Sequence, residues 1–252
     1  MNILGLTLLG IFAGTAFAQT LLEHSSEARF QIDLQVPGDA LKSALPPGFT
    51  LNVASQGPAK DCNLRLIFID RITVNGPTGK PLGKGSNRIA WLVAPVKDPS
   101  GANAQLIIGG MSEDPADTPG PFGLYLTATK HEMRRSTTVP SYGPAIDTQD
   151  WVLEAATGEH LEMHMRYERG TGNKGNPSDT KYYSAKTPAY VQISHQEQVL
   201  DILRNTTTNP PDRVKDFSLK IGGGTYAKLF DGTEKVLSWD NILWINRTVS
   251  VP

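Results

Sequence analysis

Residues 28–49, Ala28-Arg-Phe-Gln-Ile-Asp-Leu-Gln-Val-Pro-Gly-Asp-Ala-Leu-Lys-Ser-Ala-Leu-Pro-Pro-Gly-Phe49, contain a strand, a helix and a stop. Phe30, Ile32, Leu34 and Val36 alternate with Gln31, Asp33 and Gln35, the period of two of a half-buried strand. A short helix is predicted from about Pro37 to Leu45. Proline opens its first turn, Asp39 complements the positive end of the helix dipole, and Pro46-Pro47-Gly48 ends it.

Working outward, strand signals recur at 49–54, 63–74, 87–96, 104–109, 122–131, 150–156, 160–167, 181–193, 214–221, 225–230 and 236–249. Gly, Pro, Asn or Asp separates nearly all of them. About ten strands with one helix cannot lie as a single open sheet without leaving long edges bare. A mainly β, antiparallel fold closed into a barrel or stacked as a two-layer sandwich is therefore expected. Gln196–Arg204 fits a helical stripe or a further strand. Gly170–Asp179 reads as an exposed loop, and Gly222-Gly223-Gly224 as the turn of a hairpin between Leu219 and Tyr226.

Composition supports this and narrows the partners. The chain has 252 residues, with 24 Gly and 18 Pro, above the roughly 12% these two reach in average usage. With 24 basic against 25 acidic side chains the formal net charge is −1, too little positive potential for a nucleic-acid partner. Cys62 is the one cysteine, so no intrachain disulfide forms. Among Leu64, Leu66 and Phe68 it reads as a small core residue. Met1–Ala18 is uncharged and apolar from Ile3 to Phe17, ends in Ala16-Phe17-Ala18, and reads as a secretory signal. One domain over 19–252, secreted or lodged in a secretory lumen with no membrane span, is expected after cleavage. The triplets at Asn205 and Asn246 are glycosylation acceptors for such a route.

Chemistry is sought first in Phe122-Gly-Leu-Tyr-Leu-Thr-Ala-Thr-Lys-His131. Alternation places Phe122, Leu124, Leu126, Ala128 and Lys130 on one face, and Tyr125, Thr127, Thr129 and His131 on the other. An ammonium among apolar side chains loses solvation, which favours the neutral, nucleophilic amine that forms Schiff bases. The competing reading has Lys130 burying its stem and reaching into water. On 160–168, His160, Glu162 and His164 share a face. A metal site and a solvated charged surface both fit, and the second is favoured because no further ligand is evident. The carboxylates of Ser112–Gly120 match no EF-hand spacing.

The order of these features resembles the acetoacetate decarboxylase superfamily over about residues 28–250. Asp39–Phe49 after a strand resembles its early helix and turn, Lys130 lies where the family carries a Schiff-base lysine, and Lys228-Leu-Phe-Asp231 before a last long strand resembles its C-terminal part. The resemblance implies a closed, cone-like β-barrel around an apolar pocket. It also implies a lyase acting on a small keto acid or keto compound through an imine at Lys130, with no metal and no cofactor. His131, Glu132 or Glu113 would assist proton transfer, and Arg88, Trp91, Phe122, Leu124, Leu126 and Tyr125 would contact the substrate. The family's arginine falls near Gln35, and its glutamate near Arg88 or Ile89. Two alternatives keep the barrel without the imine: an isomerase or cyclase working by shape and hydrogen bonds, and a secreted non-catalytic ligand-binding protein.

Overall fold

The computed structural model describes residues 19–114, 122–204 and 213–252. The signal-peptide reading of Met1–Ala18, most of the acidic loop before Phe122, and Asn205 lie outside them. The chain runs β1 (Thr20–Gln35), α1 (Gly38–Ser43), β2 (Thr50–Leu51), β3 (Leu64–Asn75), β4 (Asn87–Lys97), β5 (Asn103–Ser112), β6 (Tyr125–Thr138) and β7 (Ile146–Ala155). It continues through β8 (His160–Glu168), β9 (Asn173–Lys174), β10 (Ser178–Ser184), β11 (Val191–Arg204), β12 (Val214–Gly222), a 3-10 turn (Gly224–Lys228) and β13 (Lys235–Val251).

Seven strands close on themselves in the order β1, β3, β4, β5, β10, β11, β13, with β13 pairing back to β1. Closure removes the bare edges that an open sheet of this size would leave. Only β5–β10 is parallel within that ring. The remaining long strands form an antiparallel layer, β6-β7-β8-β12, that lies against the barrel wall. The fold is thus a β-barrel with a flanking sheet and the single short helix expected from Pro37–Leu45.

Alternation decides which side chains fill which space. Phe30, Ile32 and Leu34 of β1, Leu64, Leu66 and Phe68 of β3, and Ala90 and Leu92 of β4 point outward. They pack against Trp151, Leu153, Leu161, Met163, Met165 and Tyr167 of the flanking layer. The opposite parity lines the barrel: Ile67 and Ile69, Ile89, Trp91 and Val93, Ile107 and Tyr182, joined by Phe122 from the segment entering β6. β6 begins beside β5, where Gly110 pairs with Tyr125. A Cβ on Gly110 would sit 2.4 Å from the Ala90 carbonyl oxygen, so only glycine allows that approach.

Some spans differ from expectation, and an open one resolves to strand. The span 181–193 is two strands, broken over 185–190 by the segment containing Pro188. The span 225–230 is a 3-10 turn: Gly223 has φ 74° and Gly224 φ 46°, and Tyr226 donates its backbone N–H to Gly223. Gln196–Arg204 is strand, paired along its length with β13. Among the described residues no helix is long and apolar enough to cross a membrane.

Candidate functional site

The barrel interior holds an ionic layer whose members come from widely separated strands. β1 turns Glu23, Ser25, Glu27 and Arg29 inward, β3 supplies Arg71 and β13 supplies Arg247, all buried. Glu27 is at the centre. It accepts hydrogen bonds from Arg29 Nε at 2.7 Å and Ser25 Oγ at 2.9 Å, and lies 3.0 Å from Arg247 Nη2 and 3.4 Å from Arg71 Nε. Glu23 accepts from Arg247 Nη2 at 2.7 Å and contacts Arg71. Burial alone would raise the pKa of both carboxyls, but Arg247 and the other guanidiniums beside them outweigh it and hold both below 4.5. The same carboxylates keep Arg247 firmly protonated despite its burial.

Within this layer three guanidiniums face two carboxylates, and toward the cavity Arg65 faces buried Asp33 with Asp240 nearby, so the interior charges balance. Arg29 and Arg247 also stack over the Trp91 ring, at 5.5 and 5.7 Å from its centroid, a cation–π arrangement that a dry interior strengthens. Nη1 of Arg71, the Trp91 indole Nε1 and the Tyr125 hydroxyl are buried with no hydrogen-bond partner among the described residues, as is the acceptor Oε1 of Gln105. An unpaired buried donor costs about 1–3 kcal/mol, so the three favour an acceptor placed beside them.

A cavity of about 250 Å³ opens into this layer from one end of the barrel. Arg29, Ile67, Tyr182 and Gln196 lie around it, with Gln31, Arg65, Gln105 and Asp240 among the polar residues that complete its lining. Gln196 Nε2 donates to the Tyr182 hydroxyl at 3.2 Å, and Tyr182 packs on Trp91 with centroids 5.7 Å apart. The volume lies below the roughly 300–1,000 Å³ of drug-sized sites and suits a small metabolite.

The residues expected from sequence divide sharply. Trp91, Phe122 and Tyr125 do reach the interior. Phe122 meets Tyr125 and Tyr190 edge-on, at 6.5 and 5.8 Å, and burial pushes the Tyr125 phenol well above its ordinary range. Leu124 packs on the interior cluster as well as bordering an outer cleft, whereas Leu126 packs on the outer core. Arg88 is three positions from Trp91 and so points out of the opposite face of β4. It sits 3.2 Å from Asp70 and 3.7 Å from Glu113, while His131 Nε2 lies 3.1 Å from Glu113 on the same outer seam.

Lys130 is a correction. A register shift between Ala128 and Lys130 interrupts the pairing of β6 with β7, and the extra residue turns Lys130 to the face opposite Ala128. Its ammonium is half exposed and donates to Glu154 at 2.8 Å. That hydrogen bond and the Glu154 charge raise its pKa, the reverse of what a nucleophilic amine needs. Every lysine of the chain lies among the described residues, and each is exposed. β1 carries a buried arginine, Arg29, six residues before Gln35, and the carboxylates beside it are Glu23 and Glu27.

Glu23, Glu27, Arg29, Arg71 and Arg247 were not anticipated, although Glu27 and Arg29 share a strand face two residues apart. His160, Glu162 and His164 lie on the outer face of the flanking layer, where His164 is 2.6 Å from Asp150 and Glu162 pairs with Lys220. Among the described residues no group of three His, Cys, Asp or Glu side chains is placed to hold a metal ion. Burial, foremost, raises the Cys62 thiol to about 12, consistent with a core role.

The barrel, its flanking layer and the buried polar interior define the acetoacetate decarboxylase-like fold. The chain superposes on the enduracididine biosynthesis enzyme MppR in complex with pyruvate with a TM-score of 0.59 and 11% identity, over 99% of this chain and 96% of that one. An acetoacetate decarboxylase-like enzyme from Sphingomonas wittichii RW1 gives 0.54 and 9% identity, over 97% and 98%. No protein-family description matches the chain, and no curated protein matches it in sequence.

Proposed function

We propose that the barrel binds a small keto carboxylate by charge recognition and acts on it, or carries it, without an imine. The observation that carries this reading is the buried guanidinium of Arg29, which lines the cavity beside Tyr182 and Gln196. A monoanionic carboxylate accepts bidentate hydrogen bonds from arginine. The cavity size suits a molecule such as pyruvate, the ligand present in the MppR complex, and Tyr182 and Gln196 line it beside Arg29.

The lowered pKa values of Glu23 and Glu27 make them counter-charges rather than bases, because a carboxylate with a lowered pKa accepts a proton poorly at neutral pH. What the interior offers a keto acid is orientation and stabilisation of negative charge on its carbonyl oxygen. This is the isomerase or cyclase type of site, in preference to the lysine lyase.

Titration calorimetry with pyruvate tests the reading. Wild type and Lys130→Ala are expected to bind with the same affinity, within about twofold, and to melt at the same temperature, as for an exposed pair. Loss of binding in Lys130→Ala would return the amine to the site.

A further inference from the structure

The flanking layer ends in a bare edge. Its strands run β6-β7-β8-β12, and among the described residues β12 pairs with β8 alone. From Lys215 to Gly222 the other side of β12 therefore presents main-chain N–H and C=O groups with no partner strand, a template for pairing with another chain. The side chains mark the same edge. Phe217, Leu219 and Ile221 point toward the barrel and are half-buried, whereas their neighbours on β8, Met165, Met163 and Leu161, are fully buried. Phe217 meets Trp239 of β13 edge-on at 5.4 Å, so the apolar core between barrel and layer reaches the rim and stops half covered. The opposite edge strand, β6, carries His131, Met133 and Arg135 in the equivalent row and is exposed on both faces over most of its length.

A second copy of this chain fits that edge. Two identical strands related by a two-fold axis pair antiparallel, and each contact between residues i and j then occurs twice. An axis at Ser218, the midpoint of β12, sets Asp216 opposite Lys220 and Phe217 opposite Leu219. Moved one residue to Phe217 or Leu219, the axis sets Asp216 or Lys220 opposite Ser218 and the ion pairs are lost. Asp216 and Lys220 are both exposed. Within each copy Lys220 lies 3.1 Å from Glu162, and Asp216 stands opposite Arg166. The Ser218 register continues one row of alternating charge across the junction: Glu162 and Lys220 of one copy, then Asp216 and Arg166 of the second. The row on the barrel side is apolar throughout: Met163 and Leu219, then Phe217 and Met165 of the second copy. A lysine on an edge strand ordinarily blocks pairing. Here an aspartate four residues away receives it, in that register and no other.

We propose that the chain forms a two-fold dimer through β12, joining two flanking layers into one continuous antiparallel sheet. Pairing covers the half-buried Phe217, Leu219 and Ile221 and gives the main-chain groups of the edge their hydrogen bonds. Because the contact is isologous, assembly through β12 stops at two copies.

Sedimentation velocity on the full chain, over about a hundredfold range of micromolar concentrations, reads the association by mass action. A monomer–dimer equilibrium is expected. Asp216→Lys sets like charges against each other at two places and is expected to weaken the dimer at least about tenfold, as is Lys220→Asp. The double variant Asp216→Lys/Lys220→Asp exchanges the charges and is expected to associate at least about fivefold more tightly than either single variant. Both positions are exposed, and circular dichroism on each variant checks that the fold is kept. Residue 218 meets its own copy, so Ser218→Cys is expected to give a disulfide-linked dimer on mild oxidation, whereas Ser136→Cys on the opposite edge strand is not. The native Cys62 is buried and does not compete. A chain that stays monomeric over the whole range overturns the proposal. So does a dimer that Asp216→Lys and Lys220→Asp leave unchanged, or one that Ser218→Cys does not cross-link.

Discussion

Glu27→Gln is expected to lower stability at neutral pH by about 3–5 kcal/mol, the cost of removing one partner from a buried ion pair. The carboxamide keeps the shape but leaves three guanidiniums, Arg29, Arg71 and Arg247, facing the charge of Glu23 alone. For a chain of this length such a loss moves the thermal midpoint by roughly 10 °C. The pH dependence fixes the sign. Glu23 and Glu27 are held below the 4.5 of an unperturbed glutamate, so their contribution is complete above about that pH and disappears as pH falls through their folded-state values. Wild type is therefore expected to lose melting temperature steadily below pH 4.5, and Glu27→Gln to begin lower and fall less. Equal neutral-pH midpoints would show that the ionic layer contributes nothing to the fold.

Arg29→Met should act on binding as well as on stability, because it breaks the buried pair with Glu27 and removes the guanidinium that lines the cavity. The loss of a charged hydrogen-bonding partner for a carboxylate is worth about 2–3 kcal/mol, or roughly 30- to 150-fold in the dissociation constant of pyruvate. Arg29→Lys keeps the charge but loses the bidentate fork and the stacking on Trp91, so it is expected to fall between. Calorimetry on the three proteins, each checked by melting, distinguishes the roles. Unchanged affinity in Arg29→Met would place the anion elsewhere.

The fold was legible where one strand face is apolar. Phe30, Ile32 and Leu34 announce β1, and the strands at 63–74, 87–96, 160–167 and 236–249 follow from the same alternation, because each turns an apolar face to the core between the barrel and the flanking layer. The site was less legible, because a period of two separates faces without saying what each face meets. Gln31 and Asp33 read as solvent-facing, yet that parity points into a polar barrel, and nothing local distinguishes a buried Arg29 from an exposed one. The pairing of Glu23 and Glu27 with Arg71 and Arg247 joins residues as far apart as 224 positions and becomes visible only when the ring closes. Lys130 was misplaced by one extra residue near Thr129, since a single bulge inverts every side chain beyond it. Trp91 and Tyr125 were found because large aromatics on a barrel strand have few other places to go.

The most direct measurement is an NMR spectrum of pyruvate labelled with ¹³C at its carbonyl carbon, bound to the intact protein, with magnetisation transfer read from the Trp91 indole proton. The charge-recognition account predicts a bound resonance in the ketone range and contact with that proton. An imine resonance, or a bound ligand with no transfer from Trp91, would contradict it.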